Sequence, residues 1–434
     1  MTISTRIPGD PEKDAMWQLV ARLFPMHRTI VGPGVTRVLD CIKQQIPLEV
    51  RAFPSGLRGG SWVVPQEWDV QEGYVETLSG RRVIDFQEHG LHVWMFSQPF
   101  EGIVSKDELL KHIRTSPVRP RAIPLEQTFY RRQWGFSASE EQVKALTESR
   151  YRVVLRTTFK DGVLRIGEAV LEGQSSREIL IDAFICHPLL AYYQTGIAVA
   201  VELFKLIASL PKRRYTYRLL LTPETIGPIM YLHHNEDVRR RIVGGYSLVC
   251  VGDPGKFHYR RSYDGASVAD RSMRHALMHS GMEYEIEPFD IRTGTTGNEK
   301  AYNSPGFFVP VGSIRRTHIG GYSEAWTSDD NLELISPDSL LETLLVCWTA
   351  IQTLERDVVY EPLFVGEPFL AGYGIYPHDR SFEQMLPWDY FKAFVDGRRS
   401  LLEIAERAGA PIMDFDDVVE AFLEKRLVRP VGEH

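Results

Sequence analysis

Residues 176–210 read SREILIDAFICHPLLAYYQTGIAVAVELFKLIASL, and residues 215–225 read YTYRLLLTPET. The first and last parts of this stretch are continuous apolar runs, which are typical of strands buried on both faces. The segment GIAVAVELFKLIASL between them has the length and composition of a helix. The unit recurs through YSLVCVGD (246–253) and FFVPVGS (307–313). We therefore predict an α/β fold with a mixed sheet and helices on both faces.

The segments around this unit differ from it in character. Residues 13–45 have helical spacing, whereas residues 52–100 form short aromatic-rich runs broken by Gly and Pro, as in a small β unit. YRVVLRTTF and LRIGEAVLEG, joined by Asp161-Gly162, predict a hairpin at the start of the central unit. Three amphipathic segments near the C-terminus have the lengths and spacing typical of a winged helix-turn-helix. The predicted domains are an α/β domain of residues 1–50 and 130–365, a β-rich inserted domain of 51–129, and a winged helix-turn-helix of 366–434.

Composition and charge exclude several classes of function. The 434 residues are 43% hydrophobic and 25% charged, so the chain can bury a large core. With 50 Lys and Arg against 57 Asp and Glu, the formal net charge is -7, which argues against a broad nucleic-acid surface. The last predicted helix carries Asp416, Asp417, Glu420 and Glu424, so we expect no DNA binding there. No G-x-S-x-G or P-loop motif is present, so serine hydrolase and NTPase functions are not supported.

The sequence also indicates where the protein acts. No apolar run approaches the roughly 18–20 residues of a membrane span, so we expect no membrane contact. The cysteines Cys41, Cys186, Cys250 and Cys347 are scattered and form no CxxC pair, as is typical of core thiols in a reducing compartment. We therefore predict a cytoplasmic protein. The C-terminal unit is predicted to serve packing or dimerisation, which makes a homodimer plausible.

Polar side chains follow the predicted buried strands, where the sites of such sheets collect. His187 follows the first strand, Glu224 follows the second, and Asp253 follows a third; the loop WTSDDN spans 326–331. A zinc ion needs imidazole and carboxylate ligands that converge in this way. The alternative is that each side chain is an isolated polar cap at the end of its strand.

Motifs along nearly the whole chain resemble, in order, those of a bacterial family of aminopeptidase-like proteins. They include VIDF, IPLEQTFYRRQWGFS, ICHPLLA, TPETIG, VGD, YNSPGFFVPVGS and YSEAWTSDDNLELI. The resemblance implies a zinc-aminopeptidase-like α/β domain, a β-rich insert and a C-terminal winged helix. It also implies kinship to the co-catalytic zinc aminopeptidases and to the zinc-dependent glutaminyl cyclases.

This chain departs from the family at its metal-ligand positions. The family reads HPSLANDNLSG where this chain reads HPLLAYYQTG, one residue shorter, with Tyr192 and Tyr193 in place of the bridging Asp. Trp326 replaces the His of YHTSDDN, which the resemblance implies as the second-metal ligand. In the family motif GSDERQY, Asn298 replaces the Asp and Glu299 is retained.

The resemblance leaves His187, Glu224 and Asp253 as residual ligand candidates. Without the bridging carboxylate, the first metal site keeps at most two of these ligands and the second keeps one, whereas catalytic zinc usually has three. We therefore predict no cofactor. Zinc held by these residues remains the alternative, and would give a mono-zinc aminopeptidase or cyclase.

The replacements turn a charged cavity into an aromatic one, which suits planar or cationic small molecules. We predict a metal-free enzyme doing amide or acyl chemistry, by cyclisation, condensation or hydrolysis, on a small amino-acyl or amide-bearing molecule, with biosynthesis as its context. A catalytically inactive pseudopeptidase, kept as a binding or assembly module, is the alternative. Glu224 is the predicted acid/base, with His187 and Tyr193 as catalytic partners. Substrate contacts are predicted for Tyr192, Gln194, Asp253, Asn298, Glu299, Tyr322 and Trp326.

Overall fold

The computed structural model describes residues 6–290, 297–317, 321–378 and 381–432. Its strands are, in chain order, β1 (Glu49–Pro54), β2 (Arg58–Gly59), β3 (Trp62–Val63), β4 (Glu67–Thr77), β5 (Arg82–Asp85), β6 (Phe100–Ser105), β7 (Ile113–Arg114), β8 (Phe136–Ser137), β9 (Arg150–Lys160), β10 (Val163–Leu171), β11 (Glu178–Phe184), β12 (Thr216–Thr222), β13 (Ile242–Leu248), β14 (Phe257–Arg260), β15 (Tyr284–Glu287), β16 (Val311–Arg315), β17 (Tyr360–Pro362) and β18 (Val428–Pro430). Its α-helices are α1 (Asp10–Leu23), α2 (Pro33–Lys43), α3 (Lys106–Lys111), α4 (Glu140–Lys144), α5 (Ala191–Ala208), α6 (Ile226–His234), α7 (Glu236–Arg241), α8 (Val268–Met278), α9 (Glu299–Tyr302), α10 (Pro337–Arg356), α11 (Phe382–Phe394), α12 (Leu401–Ala408) and α13 (Asp416–Glu424).

An eight-stranded mixed sheet forms the centre of the fold, in the order β1-β10-β12-β11-β13-β16-β14-β15. Strand β11 runs parallel to both β12 and β13, and β13 runs parallel to β16. Strands β1 and β10 extend the sheet antiparallel at one edge. The mixed α/β sheet that the buried apolar runs predicted is confirmed.

Helices cover both faces of this sheet because successive strand residues point to opposite sides. Ile179, Ile181 and Ala183 of β11 pack into a core shared with α1, α2, α5, α8 and α10. Leu180, between them, packs into a second core with residues of α6 and with Tyr302 of α9. The two cores explain why β11 and β12 read as continuous apolar runs rather than as alternating ones.

The β-rich unit contains an antiparallel four-stranded sheet of order β5-β4-β9-β6. Strand β9 pairs with β4 and β6, whereas β10 pairs with β1 and β12 of the large sheet. The predicted hairpin of β9 and β10 is therefore wrong. Strand β9 belongs to the four-stranded sheet and β10 to the eight-stranded sheet, so Asp161-Gly162 carries the chain from one sheet to the other.

The C-terminal segment has a hydrophobic core of its own. Phe391 of α11, Ile404 of α12 and Phe422 of α13 are fully buried in it. Strands β17 and β18 pair beside these helices. Three helices with a small antiparallel pair are compatible with the predicted winged helix, and that assignment, like the homodimer, stays a prediction. Among the residues that the structure describes, no helix is long and apolar enough to cross a membrane.

A buried ion network joins three neighbouring strands of the large sheet. Arg218 on β12 lies 2.6 Å from Glu178 of β11 through its Nε, and its Nη1 contacts Glu168 of β10. The side chains of Glu168 and Glu178 are each 2% exposed. Arg51 and Tyr231 also contact Glu168. The network neutralises two carboxylates that the sheet takes out of water.

We predict that Arg218→Met lowers the free energy of unfolding by about 3–5 kcal/mol, because it removes the buried cation that Glu168 and Glu178 share. Each carboxylate then keeps only a partly exposed arginine, Arg51 for Glu168 and Arg241 for Glu178. The matched control is Arg156→Met on β9. Arg156 pairs with Glu72 at 2.8 Å, but its side chain is 58% exposed, so this change costs about 1 kcal/mol or less. Urea denaturation of both variants measures the difference. Equal losses would contradict the assignment of the Arg218 network as a buried support of the sheet.

Candidate active site

The site lies at the carboxyl ends of β11 and β12. Their parallel register pairs Phe184 with Thr222 at the last position, so the loops that follow start side by side. His187 and Glu224 come from these two loops. The distance from His187 Nε2 to Glu224 Oε2 is 3.1 Å, which is a direct hydrogen bond. The predicted acid/base and its imidazole partner are therefore brought together.

The other nitrogen of the imidazole faces a thiol. His187 Nδ1 lies 3.6 Å from Cys186 Sγ, and the backbone N–H of Glu224 donates to the same sulfur at 3.3 Å. Burial disfavours the imidazolium, but Cys186 and Glu224 outweigh burial and raise the pKa of His187 to about 10. The imidazole thus bridges a sulfur and a carboxylate.

Aromatic rings hold the imidazole in place. The ring of Tyr193 stacks on His187 with centroids 4.2 Å apart and an angle of 14°. Phe184 stacks on the same pair from the end of β11. Trp326 approaches His187 and Tyr193 at 5.3 Å from each. Tyr193, a predicted catalytic partner, therefore supports the imidazole through its ring face.

A buried arginine braces the loop of His187 from behind. Arg28 Nε donates to the carbonyl oxygen of His187 at 2.9 Å, and its Nη2 donates to Gln194 Oε1. Gln194 in turn donates to the carbonyl oxygens of His187 and Leu190, at 3.2 and 2.9 Å. The amide of Gln194 is thus bonded to the protein's own backbone, and the residue lies outside the cavity lining.

The loop of Glu224 is held by a buried polar network beneath it. Thr225 has a φ of +63°, and its backbone N–H donates to Asn298 Oδ1 at 2.8 Å. Asn298 Nδ2 donates to both oxygens of Asp182, at 3.0 and 2.9 Å. Thr222 and Tyr302 donate to the same carboxylate. Burial raises the pKa of Asp182 to about 6, while these hydrogen bonds oppose the rise.

A cavity of about 610 Å³ opens above the Cys186, His187 and Glu224 side chains. Thr225, Ile226 and Trp326 contribute to its walls from the α/β unit, and Ile30 adds to them from the N-terminal segment. The remaining lining residues come from the β-rich unit and the loop after it: Trp62, Met95, Phe96, Gln127, Phe129 and Tyr130. The volume lies in the range of small-molecule sites.

Backbone strain is concentrated around this cavity. Phe96, Phe129, Thr225 and Trp326 all line it, and their φ values are +64°, +46°, +63° and +62°. Such left-handed conformations in bulky or β-branched residues cost about 1–3 kcal/mol each. Strain that the fold tolerates at four positions around one cavity is typical of functional sites.

Other predicted site residues lie together but away from the cavity lining. Tyr192 donates a hydrogen bond from its hydroxyl to Asp253, and Tyr322 packs edge-to-face on Tyr192 at 4.7 Å. Asp253 also accepts from the backbone N–H of Gly255 at 2.7 Å, and from the backbone N–H and the hydroxyl of Thr317 at 3.2 and 2.5 Å. Both carboxylate oxygens of Asp253 therefore accept hydrogen bonds from neighbouring groups of the protein.

Glu299 is fully buried and also lies outside the lining. Its Oε1 accepts hydrogen bonds from Arg260 Nη1 at 3.2 Å and Arg315 Nη2 at 3.0 Å.

Asp330 caps α5, because its Oδ1 accepts a hydrogen bond from the backbone N–H of Tyr192 at 2.9 Å. Burial raises the pKa of Asp330 to about 7. Asp330 therefore fixes the start of the helix that follows the His187 loop.

The donor set does not fit a zinc ion. His187 and Glu224 supply two donors that lie close together, whereas a catalytic zinc usually has three protein ligands. Asp253 accepts hydrogen bonds from Tyr192 and Thr317 instead of facing these residues. Across residues 6–290, 297–317, 321–378 and 381–432, no three His, Cys, Asp or Glu side chains are arranged to hold a metal ion.

Comparisons with known proteins identify the family. Residues 17–357 match the model of a domain of unknown function named DUF4910. The chain belongs to this family. A Clostridium acetobutylicum protein provisionally described as a polysaccharide biosynthesis protein with an aminopeptidase-like domain is 34% identical over 425 residues, which are 96% of each chain. The predicted resemblance to aminopeptidase-like proteins is confirmed.

Solved structures share the fold of this chain. The crystal structure of a protein from Clostridium acetobutylicum, provisionally described as a peptidase, has a TM-score of 0.91 and 32% identity, and 97% of each chain is covered. A zinc aminopeptidase from Bacillus subtilis has a TM-score of 0.60 at 12% identity, covering 80% of this chain and 95% of its own. The second likeness shows the aminopeptidase fold alone.

Sequence reasoning missed two parts of this DUF4910 site. Cys186 was predicted to be a core thiol, although its position immediately before His187 at a strand end was a usable signal. The wall contributed by Trp62, Phe129 and Tyr130 had no signal, because it depends on how the β-rich unit packs over the sheet.

We predict that protein prepared without chelator contains well under one zinc per chain. The reason is that His187 and Glu224 provide only two converging donors, while the oxygens of Asp253 accept hydrogen bonds elsewhere. Elemental analysis of the purified chain measures this. Stoichiometric zinc that disappears in His187→Ala would contradict the prediction and favour a mono-zinc enzyme.

We also predict that Asn298→Asp makes stability depend steeply on pH. The introduced carboxylate would face Asp182, and two adjacent carboxylates must share a proton, so their pKa in the folded state is raised above the unfolded value. Stability is then retained at low pH and lost as the pH rises through the folded pKa. Relative to wild type, we expect the variant to be at least about 2 kcal/mol less stable near pH 8 than near pH 5. Equal destabilisation at both pH values in denaturant titrations would refute the proposed contact.

Proposed function

We propose that this DUF4910 protein is an enzyme that performs amide or acyl chemistry on a small amino-acyl molecule, using its own side chains. The observation that carries the proposal is the His187–Glu224 pair at the floor of an aromatic cavity. An acid/base pair at the end of buried strands, inside a cavity of small-molecule size, meets the geometric requirements for proton transfer to a bound substrate.

The cavity lining supports an acyl group with an apolar or aromatic side chain. The rings of Trp62, Phe129 and Trp326 offer faces on which a planar group can stack. Gln127 places an amide, which can donate to a carbonyl oxygen, on the same lining. Glu224, with its side chain 19% exposed, can accept a proton from a substrate N–H or a water molecule.

The direction of the reaction, whether hydrolysis, cyclisation or condensation, depends on which nucleophile reaches the acyl carbon. A biosynthetic context is supported by the Clostridium acetobutylicum relative, whose provisional description names polysaccharide biosynthesis. The proposal places the substrate, and not a nucleic acid or a membrane, in the cavity. Cytoplasmic location and a homodimer belong to the same proposal.

The principal test is Glu224→Gln, which removes a proton acceptor without changing the side-chain volume. We expect folding and ligand binding to be preserved, and turnover to fall by about 10²–10⁴-fold. The probe is a panel of amino-acyl p-nitroanilides, including phenylalanyl and leucyl derivatives. The nitroaniline ring of these compounds is planar and matches the aromatic lining of the cavity. Release of p-nitroaniline gives the rate, and calorimetry with uncleaved amide analogues gives the affinity.

Glu236→Gln is the matched control, because Glu236 lies on α7 with its side chain 56% exposed and pairs with Arg240. This variant should turn over the panel at the wild-type rate. A Glu224→Gln variant as active as wild type would refute the acid/base assignment. Binding of the analogues without any turnover by the wild type would favour the inactive pseudopeptidase, in which the cavity only recognises its ligand.

A further inference from the structure

We infer that Cys186 is the nucleophile of this site and carries the acyl group as a thioester. The inference rests on the proposed acyl chemistry and adds a covalent step to it. Cys186 lines the cavity together with His187 and Glu224, so its sulfur lies where a bound acyl carbon is reached. The other three cysteines are buried outside the cavity lining.

The two ring nitrogens of His187 connect the side chains of Cys186 and Glu224. Its Nδ1 lies 3.6 Å from the Cys186 sulfur, and its Nε2 lies 3.1 Å from Glu224. Nucleophilic catalysis requires a nucleophile, a base and a group that orients the base. Cys186, His187 and Glu224 are in contact in this order. Because Glu224 engages Nε2, Nδ1 is the nitrogen that faces the thiol and the reacting atoms.

Two further sets of contacts position the sulfur and the imidazole. The backbone N–H of Glu224 donates to Cys186 Sγ at 3.3 Å, and a hydrogen bond of this kind stabilises a thiolate. The stacked ring of Tyr193 and the hydrogen bond from Arg28 to the carbonyl oxygen of His187 fix the imidazole against the sulfur. The imidazole is therefore held next to the sulfur before substrate arrives.

The acylation step balances as follows. The proton of the Cys186 thiol moves to His187 Nδ1, and the sulfur attacks the carbonyl carbon of the substrate amide, forming a C–S bond. The C–N bond then breaks, and the departing amine takes the proton from His187. Water, or an amine in a condensation, attacks the thioester with His187 as base; the C–S bond breaks and the thiol regains its proton.

Alkylation by iodoacetamide tests the reactivity of the thiol without any substrate. We expect peptide mass spectrometry of the folded protein to locate the modification at Cys186, with Cys41, Cys250 and Cys347 unmodified because they are buried away from the cavity. His187→Gln should slow the modification at least about tenfold, since it removes the base. Modification that is unaffected by His187→Gln, or that leaves Cys186 unmodified, would overturn the inference.

Acyl trapping tests the covalent step. Brief incubation with a phenylalanyl p-nitrophenyl ester should add one acyl mass to the intact protein, and neutral hydroxylamine should remove it. Cys186→Ala should not be acylated and should lose at least about 10³-fold in kcat/KM on the p-nitroanilides, whereas Cys347→Ala should match wild type. Circular dichroism confirms that each variant is folded.

The outcomes separate this inference from the proposed function. Full p-nitroanilide turnover by Cys186→Ala would overturn the nucleophile assignment and leave the amide chemistry of the site standing. Acylation of Cys186 without turnover of any amide would support the nucleophile and count against the proposed amide chemistry.

Discussion

The parallel pairing of β11 with β12 is the constraint on which the rest of the site depends. It ends both strands at the same level, so the loops after Phe184 and Thr222 leave the sheet together. His187 and Glu224 meet for this reason at 3.1 Å. Because both strands are buried on both faces, the polar groups at their ends must be satisfied by one another. The same requirement explains the network of Asp182 and Asn298 below the loop.

A stable central sheet allows strained backbone conformations around the cavity. Two helical layers and the Arg218 network hold the strands, while Phe96, Phe129, Thr225 and Trp326 adopt left-handed backbone conformations around the cavity. A compact, well-packed framework can tolerate several such positions. The rings of Tyr193 and Trp326 pack against the imidazole of His187 at the same end of the sheet.

The sequence predicted the parts of the structure that depend on local patterns. Continuous apolar runs identified β11 and β12, and the residues that follow them identified His187 and Glu224. The hairpin of β9 and β10 was predicted wrongly, because strand partners in two different sheets outweighed the Asp-Gly turn. Gln194 hydrogen-bonds to Arg28 and to the backbone of the His187 loop, and the β-rich unit supplies an aromatic wall to the cavity. Both features depend on contacts between residues distant in sequence, which the periodicity of the sequence does not encode.

We propose that this aminopeptidase fold works through its own side chains without bound zinc. Turnover of the amino-acyl p-nitroanilides after exhaustive treatment with dipicolinate tests this claim most directly. We predict the same rate before and after chelation, and no gain when zinc is added back. A rate that falls on chelation and is restored by zinc in stoichiometric amount would contradict the account.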